Sequence, residues 1–241
     1  MSERVALYAA TRNLYDDMVV SAKSLLANNG ADKIYFLIED ESFPHDLPSC
    51  IHPVDVSNQT IFPPSGPNFT CRWTYMALIR VALSRLFTGL DKILTLDVDT
   101  ITHKPIDYLW NLDLSNYYFA MVEEQQIRHR QHPYFNFGVC MQNLAKLRDG
   151  ADNVIITTIN TTWLNYPEQD AVNSVCRRHI FNLPPEYNAM WFNIPPVPDD
   201  DVCIKHYANK FIPFSMNEDY KHYAALSWDD VFNLQSQLKG S

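Results

Sequence analysis

Leu94-Thr95-Leu96-Asp97-Val98-Asp99-Thr100 sets two carboxylates one residue apart at the end of an apolar run. Read as a strand over Ile93 to Asp99, its two-residue period puts Asp97 and Asp99 on one face and Val98 on the other. Such a pair is self-repelling unless a cation or a protonated group stands between its members. It therefore reads either as oxygen ligands for Mg²⁺ or Mn²⁺, or as turn and capping carboxylates at a strand end. Pro105 forbids a continuing central strand, so the pair lies at a C-terminal strand edge, where open α/β sheets bind ligands.

Outward from this stretch the chain alternates. Arg4 to Ala9 reads as a buried strand, Thr11-Arg12-Asn13 as a polar turn, and Tyr15, Met18, Val19, Ala22, Leu25 and Leu26 recur at helical spacing up to Asn28-Asn29-Gly30. Lys33 to Ile38 is a second apolar run. This opening predicts an α/β fold, a mostly parallel central sheet with helices on both faces. Six prolines between Phe43 and Asn68 predict loop, apart from an edge strand at Val54 to Val56. Tyr75, Leu78, Ile79, Ala82, Leu83 and Leu86 then form one helical stripe, capped by Thr70 or Thr74 and ended by Gly89, with Arg80 off its core.

Past the acidic pair, Tyr117 to Val122, Tyr134 to Met141, His179 to Leu183 and Val202 to Tyr207 read as strands. Ala151 to about Trp163 and Trp228 to Leu238 read as helices, and Pro167-Glu168-Gln169-Asp170 as a helix start. The lone Gly138 marks a close backbone approach or a kink. With no repeat, low-complexity tract or linker, one domain over residues 1–241 is expected.

A chain of 241 residues, 46% hydrophobic and 20% charged, can bury a sizeable core. Its net charge of −9 argues against nucleic acid or an anionic membrane as the main partner, and an anionic ligand would need a metal to help hold it. Five widely spaced cysteines without a C-x-x-C pair argue against a disulfide framework and a zinc site and read as free buried thiols. The N-terminus shows no basic leader with a long apolar stretch, and no run approaches a membrane span, so a cytoplasmic location is expected.

His206, after Val202-Cys203-Ile204-Lys205, is either a structural histidine or a third ligand beside the aspartates, in which case its nitrogen favours Mn²⁺ over Mg²⁺. Lys205 and Lys210 flank it, as phosphate contacts or as solvated surface. Asn136 is a hydrogen-bonded core amide or a binding group. Glu168, Gln169 and Asp170 are helix caps or site residues. Arg128-His129-Arg130-Gln131-His132 is a solvated loop or a substrate lid.

In combination these features resemble the retaining glycosyltransferases of family 8, the glycogenin and lipopolysaccharide galactosyltransferase group. The resemblance runs from about Val5 to Phe214. It is carried in order by Ala9-Ala10-Thr11-Arg12-Asn13-Leu14-Tyr15, Ser24-Leu25-Leu26, Arg80, Asp91 to Asp99, Tyr134 to Val139, Asn143-Leu144, Glu168-Gln169-Asp170, Tyr187-Asn188 and His206-Tyr207. It implies a GT-A-type fold and transfer of a hexose from a UDP-sugar to a glycan, lipid-linked or protein acceptor. Asp97, Asp99 and His206 would hold Mn²⁺, with Mg²⁺ as the alternative. Residues 1–110 would form the nucleotide-binding half, with Ala9, Ala10, Thr11, Asn13 and Val98 at the base and ribose and Lys210 at phosphate. Residues 111–241 would form the donor-sugar and acceptor half. Arg80, Glu123, Glu124, Asn136, Phe137 and Gly138 would surround the sugar, and Glu168, Gln169 and Asp170 would serve catalysis.

The sequence departs from the family pattern where Thr11 replaces an acidic residue contacting uracil, Phe137 a small residue, and Glu168 an aspartate. Asn209 and Ile212 stand where a glycine and a phosphate-binding lysine are usual after the histidine. Two rival readings remain. A haloacid dehalogenase-type phosphatase would use Asp97 as nucleophile, although its motif lies near the N-terminus and carries threonine where Ile101 stands. The other rival is a non-catalytic sugar-nucleotide binder.

Overall fold

The computed structural model describes residues 3–124, 132–208 and 212–240. In chain order the elements are β1 (Val5–Ala9), α1 (Tyr15–Ala27), β2 (Lys33–Ile38), β3 (Ile51–Asp55), α2 (Thr74–Leu78), α3 (Leu83–Leu86), β4 (Lys92–Leu96) and β5 (Thr100–Thr102). They continue with α4 (Asp107–Asn111), β6 (Phe119–Glu123), β7 (Phe135–Asn143), α5 (Leu144–Leu147), α6 (Ala151–Thr161), α7 (Pro167–Cys176), β8 (Ile180–Asn182), β9 (Ile204–His206), α8 (Glu218–Ala225) and α9 (Trp228–Lys239).

Seven strands form one sheet in the order β3-β2-β1-β4-β7-β6-β8, and β5 pairs with β9 in a separate two-stranded ribbon. Among the described residues of the seven-stranded sheet, only β7 runs against its neighbours, β4 and β6, and the other pairings are parallel; β5 and β9 run antiparallel. Period-two alternation sorts the side chains. Ala6 and Tyr8 of β1 pack with Met18, Leu25 and Leu26 of α1 and Val231 of α9, while Val5 and Leu7 pack on the other face with Met76, Ile155 and Val172. Both faces are dry, which is why the strands read as continuous apolar runs. Chain order reverses across β1: β2 lies on one side and β4 on the other. The C-terminal ends of β1 and β4 therefore open into a topological switch point.

Four expectations are corrected. The single helix over Tyr75 to Leu86 is broken into α2, a 3₁₀ turn at Ile79–Val81, and α3, and it ends three residues before Gly89. Thr74 does not cap α2 as an N-cap; it sits inside the first turn at φ 62°, with its hydroxyl accepting from the Met76 amide. The edge strand is Ile51–Asp55, where Pro53 is tolerated because the far side of β3 has no partner strand among the described residues. Strand β4 stops at Leu96, so the strand expected over Ile93 to Asp99 does not carry the acidic pair. All five cysteines are free, as the spacing predicts, but only Cys140 and Cys176 are buried; Cys50, Cys71 and Cys203 are half-buried.

Candidate active site

Because β4 ends at Leu96, a turn and not the strand period brings Asp97 and Asp99 together. The Asp97 amide donates to Gly138 O on β7 (2.7 Å), and the Thr100 hydroxyl closes the turn onto Asp97 O (2.8 Å). The β5–β9 ribbon sets Thr100 opposite His206, and the Tyr207 amide donates to Asp99 O (2.8 Å). His206 Nε2 lies 3.4 Å from Asp97 Oδ2 and 3.3 Å from Asp99 Oδ1. One ligand atom from each of the three residues falls within 4.8 Å of the others.

A chain of hydrogen bonds decides which imidazole nitrogen faces the carboxylates. The Gly138 amide can only donate, so Asn136 Oδ1 accepts it (2.8 Å) and also accepts from Asn188 Nδ2 (2.9 Å). Asn188 Oδ1 is then left to accept from His206 Nδ1–H (2.9 Å). With Nδ1 engaged, Nε2 presents its lone pair to the aspartates, the tautomer a metal-ligating histidine needs. Without a metal, burial pulls the His206 pKa down, but Asp99 and Asp97 outweigh it and push it up to about 10. The imidazolium then supplies the cation between the carboxylates. A divalent ion fits the same donor set: one nitrogen and two carboxylate oxygens.

Arg80 extends the site. It is 6% exposed, its guanidinium pairs with Asp97 Oδ1 and with Glu168 Oε1 (3.0 Å), and it lies over the Phe137 ring at 5.2 Å. Burial opposes ionisation of Asp97, but Arg80 and His206 hold its pKa well below the usual range. For Glu168 burial wins and raises the pKa despite Arg80. Its Oε2 is buried and has no hydrogen-bond partner among the described residues. Gln169 Oε1 accepts the Phe137 amide (2.9 Å), and Asn173 donates to Gln169 O (2.8 Å), fixing the first turn of α7.

Several expected residues lie elsewhere. Phe137 and Lys205 sit on strands beside site residues, and alternation turns both away. Phe137 is 1% exposed in the core beneath Arg80, and Lys205 faces Asp219 at 3.8 Å. Of the two glutamates, Glu124 meets the site by accepting from Asn136 Nδ2 (2.9 Å), whereas Glu123 faces Asn182 (3.4 Å). Asp170 accepts from the Tyr134 hydroxyl (2.5 Å) and the Tyr166 amide (3.0 Å), the bonds of a positioning group. At the β1 end, Ala10 is buried, Ala9 half-buried, and the Thr11 hydroxyl donates to Asn13 Oδ1 (2.7 Å). Val98 packs partly buried against the core. Gly138 is a close approach: a Cβ there would lie 2.3 Å from His206 Cε1. Lys210 and residues 128–131 lie outside the described residues.

Asn188 is absent from the sequence-derived site, although it sets the histidine tautomer. Asp17, on the first turn of α1, is also absent; burial first, then the Asp99 charge, raises its pKa to about 6. Asn188 stands only as half of the Tyr187-Asn188 pair that carries the family resemblance, with no role attached, and Asp17 carries no local signal; each acts on a residue brought to it by the fold.

The family model for Glycosyl transferase family 8 matches residues 6–207. A Haemophilus influenzae protein named as a glycosyltransferase is 27% identical over 180 residues, covering 60% of this chain and 52% of that protein. Lipopolysaccharide 1,2-glucosyltransferase of Escherichia coli is 26% identical over 209 residues, covering 76% of this chain and 61% of the relative. The chain thus spans between half and two thirds of the length of these curated relatives. Among solved structures, the galactosyltransferase LgtC in complex with donor and acceptor sugar analogs superposes with a TM-score of 0.70 at 19% identity, over 97% of this chain and 95% of that one.

Proposed function

Because the chain belongs to glycosyl transferase family 8, and is a glycosyltransferase of GT-A architecture, we propose that it moves a hexose from a UDP-sugar to a glycan, lipid-linked or protein acceptor with retention of configuration, using Mn²⁺. The observation that carries this reading is the convergence of Asp97, Asp99 and His206 Nε2 at the switch point beside the end of β1. Asp97, Asp99 and His206 would hold Mn²⁺ there, and the ion would supply positive charge for the departing diphosphate.

The chain's own residues do the rest. The turn after β1, with Ala9, Ala10, Thr11 and Asn13, receives the base, and Val98 lies beside the ribose. Arg80 keeps Asp97 ionised and thereby ready to ligate. Glu168 Oε2, buried and unpartnered among the described residues, accepts a hydroxyl of the donor sugar. Asn136, bonded to Glu124 and to Asn188, receives the same sugar. The acceptor attacks on the face the diphosphate leaves, with Gln169 and Glu168 stabilising the cationic anomeric carbon. The phosphatase reading loses support, because Asp97 is tied to Arg80 and His206 and is no free nucleophile.

The test is thermal stabilisation by UDP with and without Mn²⁺. The expected result is a melting temperature raised by UDP only when Mn²⁺ is present, and Asp97→Asn abolishes the rise. A metal-independent UDP shift overturns the assignment.

A further inference from the structure

The loop before α2 and the segment leading into Pro167-Glu168 of α7 meet and present two large aromatic rings to solvent. Trp73 is 39% and Tyr166 41% exposed, their ring centroids 5.2 Å apart and tilted by 39°. Arg72 lies over the Trp73 ring at 5.4 Å. The ledge is tied to the catalytic residues on both sides. Tyr166 precedes Pro167-Glu168 directly, its amide donating to Asp170 and its carbonyl accepting the Asp170 amide. Cys71, next to Arg72, feels the charge of Glu168.

The ledge is also rigid. Asn68, 1% exposed, donates to Ile159 O (2.6 Å) and Thr162 O (2.7 Å) and accepts the Leu164 amide (3.0 Å), locking the two segments together. Phe69 and Tyr75 stack at 7° beneath the loop. Thr74 holds φ 62°, a conformation that β-branched residues avoid and that the surrounding contacts enforce. Exposed tryptophan and tyrosine held in fixed geometry offer an apolar face with little ordering to lose on binding.

The charge adds specificity. In a chain of net charge −9, Arg72 is exposed and has no acidic partner among the described residues. Its guanidinium, already stacked, keeps its N–H groups for a planar or tetrahedral anion.

We infer that Arg72, Trp73 and Tyr166 form the acceptor subsite, taking a pyranose that carries an anionic substituent, its apolar face on the rings and its anion on Arg72. This rests on the transferase reading above. A carboxylate on an acidic sugar and a phosphate ester share the required chemistry.

Binding of methyl β-D-glucuronide, glucose 6-phosphate and methyl β-D-glucoside to the full chain with Mn²⁺ and UDP, by calorimetry, tests the inference. At least one anionic probe is expected to bind about tenfold more tightly than the neutral one. The probe that does so identifies the carboxylate or the phosphate. Arg72→Gln brings anionic and neutral probes to equal affinity, Arg72→Lys retains part of the preference, and Trp73→Ala weakens all three by about tenfold. Equal binding of the three probes to wild type, no binding of any, or an anionic preference surviving in Arg72→Gln overturns the inference. The Mn²⁺-dependent UDP shift of the wild-type protein reads the donor assignment separately.

Discussion

Gly138→Ala places one methyl group against the proposed metal site and nowhere else of consequence. The added Cβ would stand 2.3 Å from His206 Cε1, 2.6 Å from Nδ1 and 2.9 Å from Asn136 Oδ1. Restoring van der Waals contact requires the imidazole to move by roughly 1 Å. The strand cannot yield instead, since β7 lies between β4 and β6 and Gly138 O holds the Asp97 amide. The ring must therefore give up its 2.9 Å bond to Asn188 and turn Nε2 from the carboxylates. Overpacking of this kind costs about 1–3 kcal/mol of stability. Loss of ligand orientation weakens metal binding by about 10–100-fold. Titration with Mn²⁺ followed by the electron paramagnetic resonance of the free ion measures the affinity, and circular dichroism confirms the fold. An alanine variant that binds Mn²⁺ within about threefold of wild type refutes the reasoning.

Other perturbations probe the same site. Arg80→Met leaves the buried Glu168 carboxylate without its cation, while half-buried Asp97 keeps only His206, and is expected to cost about 3–5 kcal/mol in urea unfolding; a loss below about 1 kcal/mol contradicts the pairing. Metal-free protein should lose stability as pH rises from 7 to 8.5, because folding raises the His206 pKa and the native state then holds the extra proton. That contribution is complete below pH 6.5 and gone above about 10, with a slope of at most about 1.4 kcal/mol per pH unit, and saturating Mn²⁺ flattens it. Asn188→Leu removes the acceptor for Nδ1–H, so Mn²⁺ binding weakens by about tenfold while secondary structure persists; unchanged affinity shows that the tautomer is set by other means.

The alternation of strand and helix and the apolar runs were enough to read the sheet, because burial on both faces writes itself into consecutive residues. Gly138 was legible as a close approach for a similar reason: a lone glycine in an apolar strand has few other uses. The positions of Phe137 and Lys205 were also available, since a residue beside a site residue on a strand must face away; the family pattern drew Phe137 toward the ligand, and the place beside His206 drew Lys205. The role of Asn188, named only within the Tyr187-Asn188 pair of the resemblance, and the break after Leu78 were not available. The first acts through a chain linking Gly138, Asn136 and His206 across three segments, and the second depends on where Arg80 must sit to reach Asp97 and Glu168.

Release of free sugar from UDP-glucose, UDP-galactose and UDP-N-acetylglucosamine, measured with Mn²⁺ and again after chelation, bears most directly on the proposed chemistry. Slow hydrolysis of one UDP-sugar to UDP and hexose, dependent on Mn²⁺ and lost in Asp97→Asn, is the predicted result. Hydrolysis unaffected by chelation, or release of inorganic phosphate from sugar phosphates in its place, contradicts it.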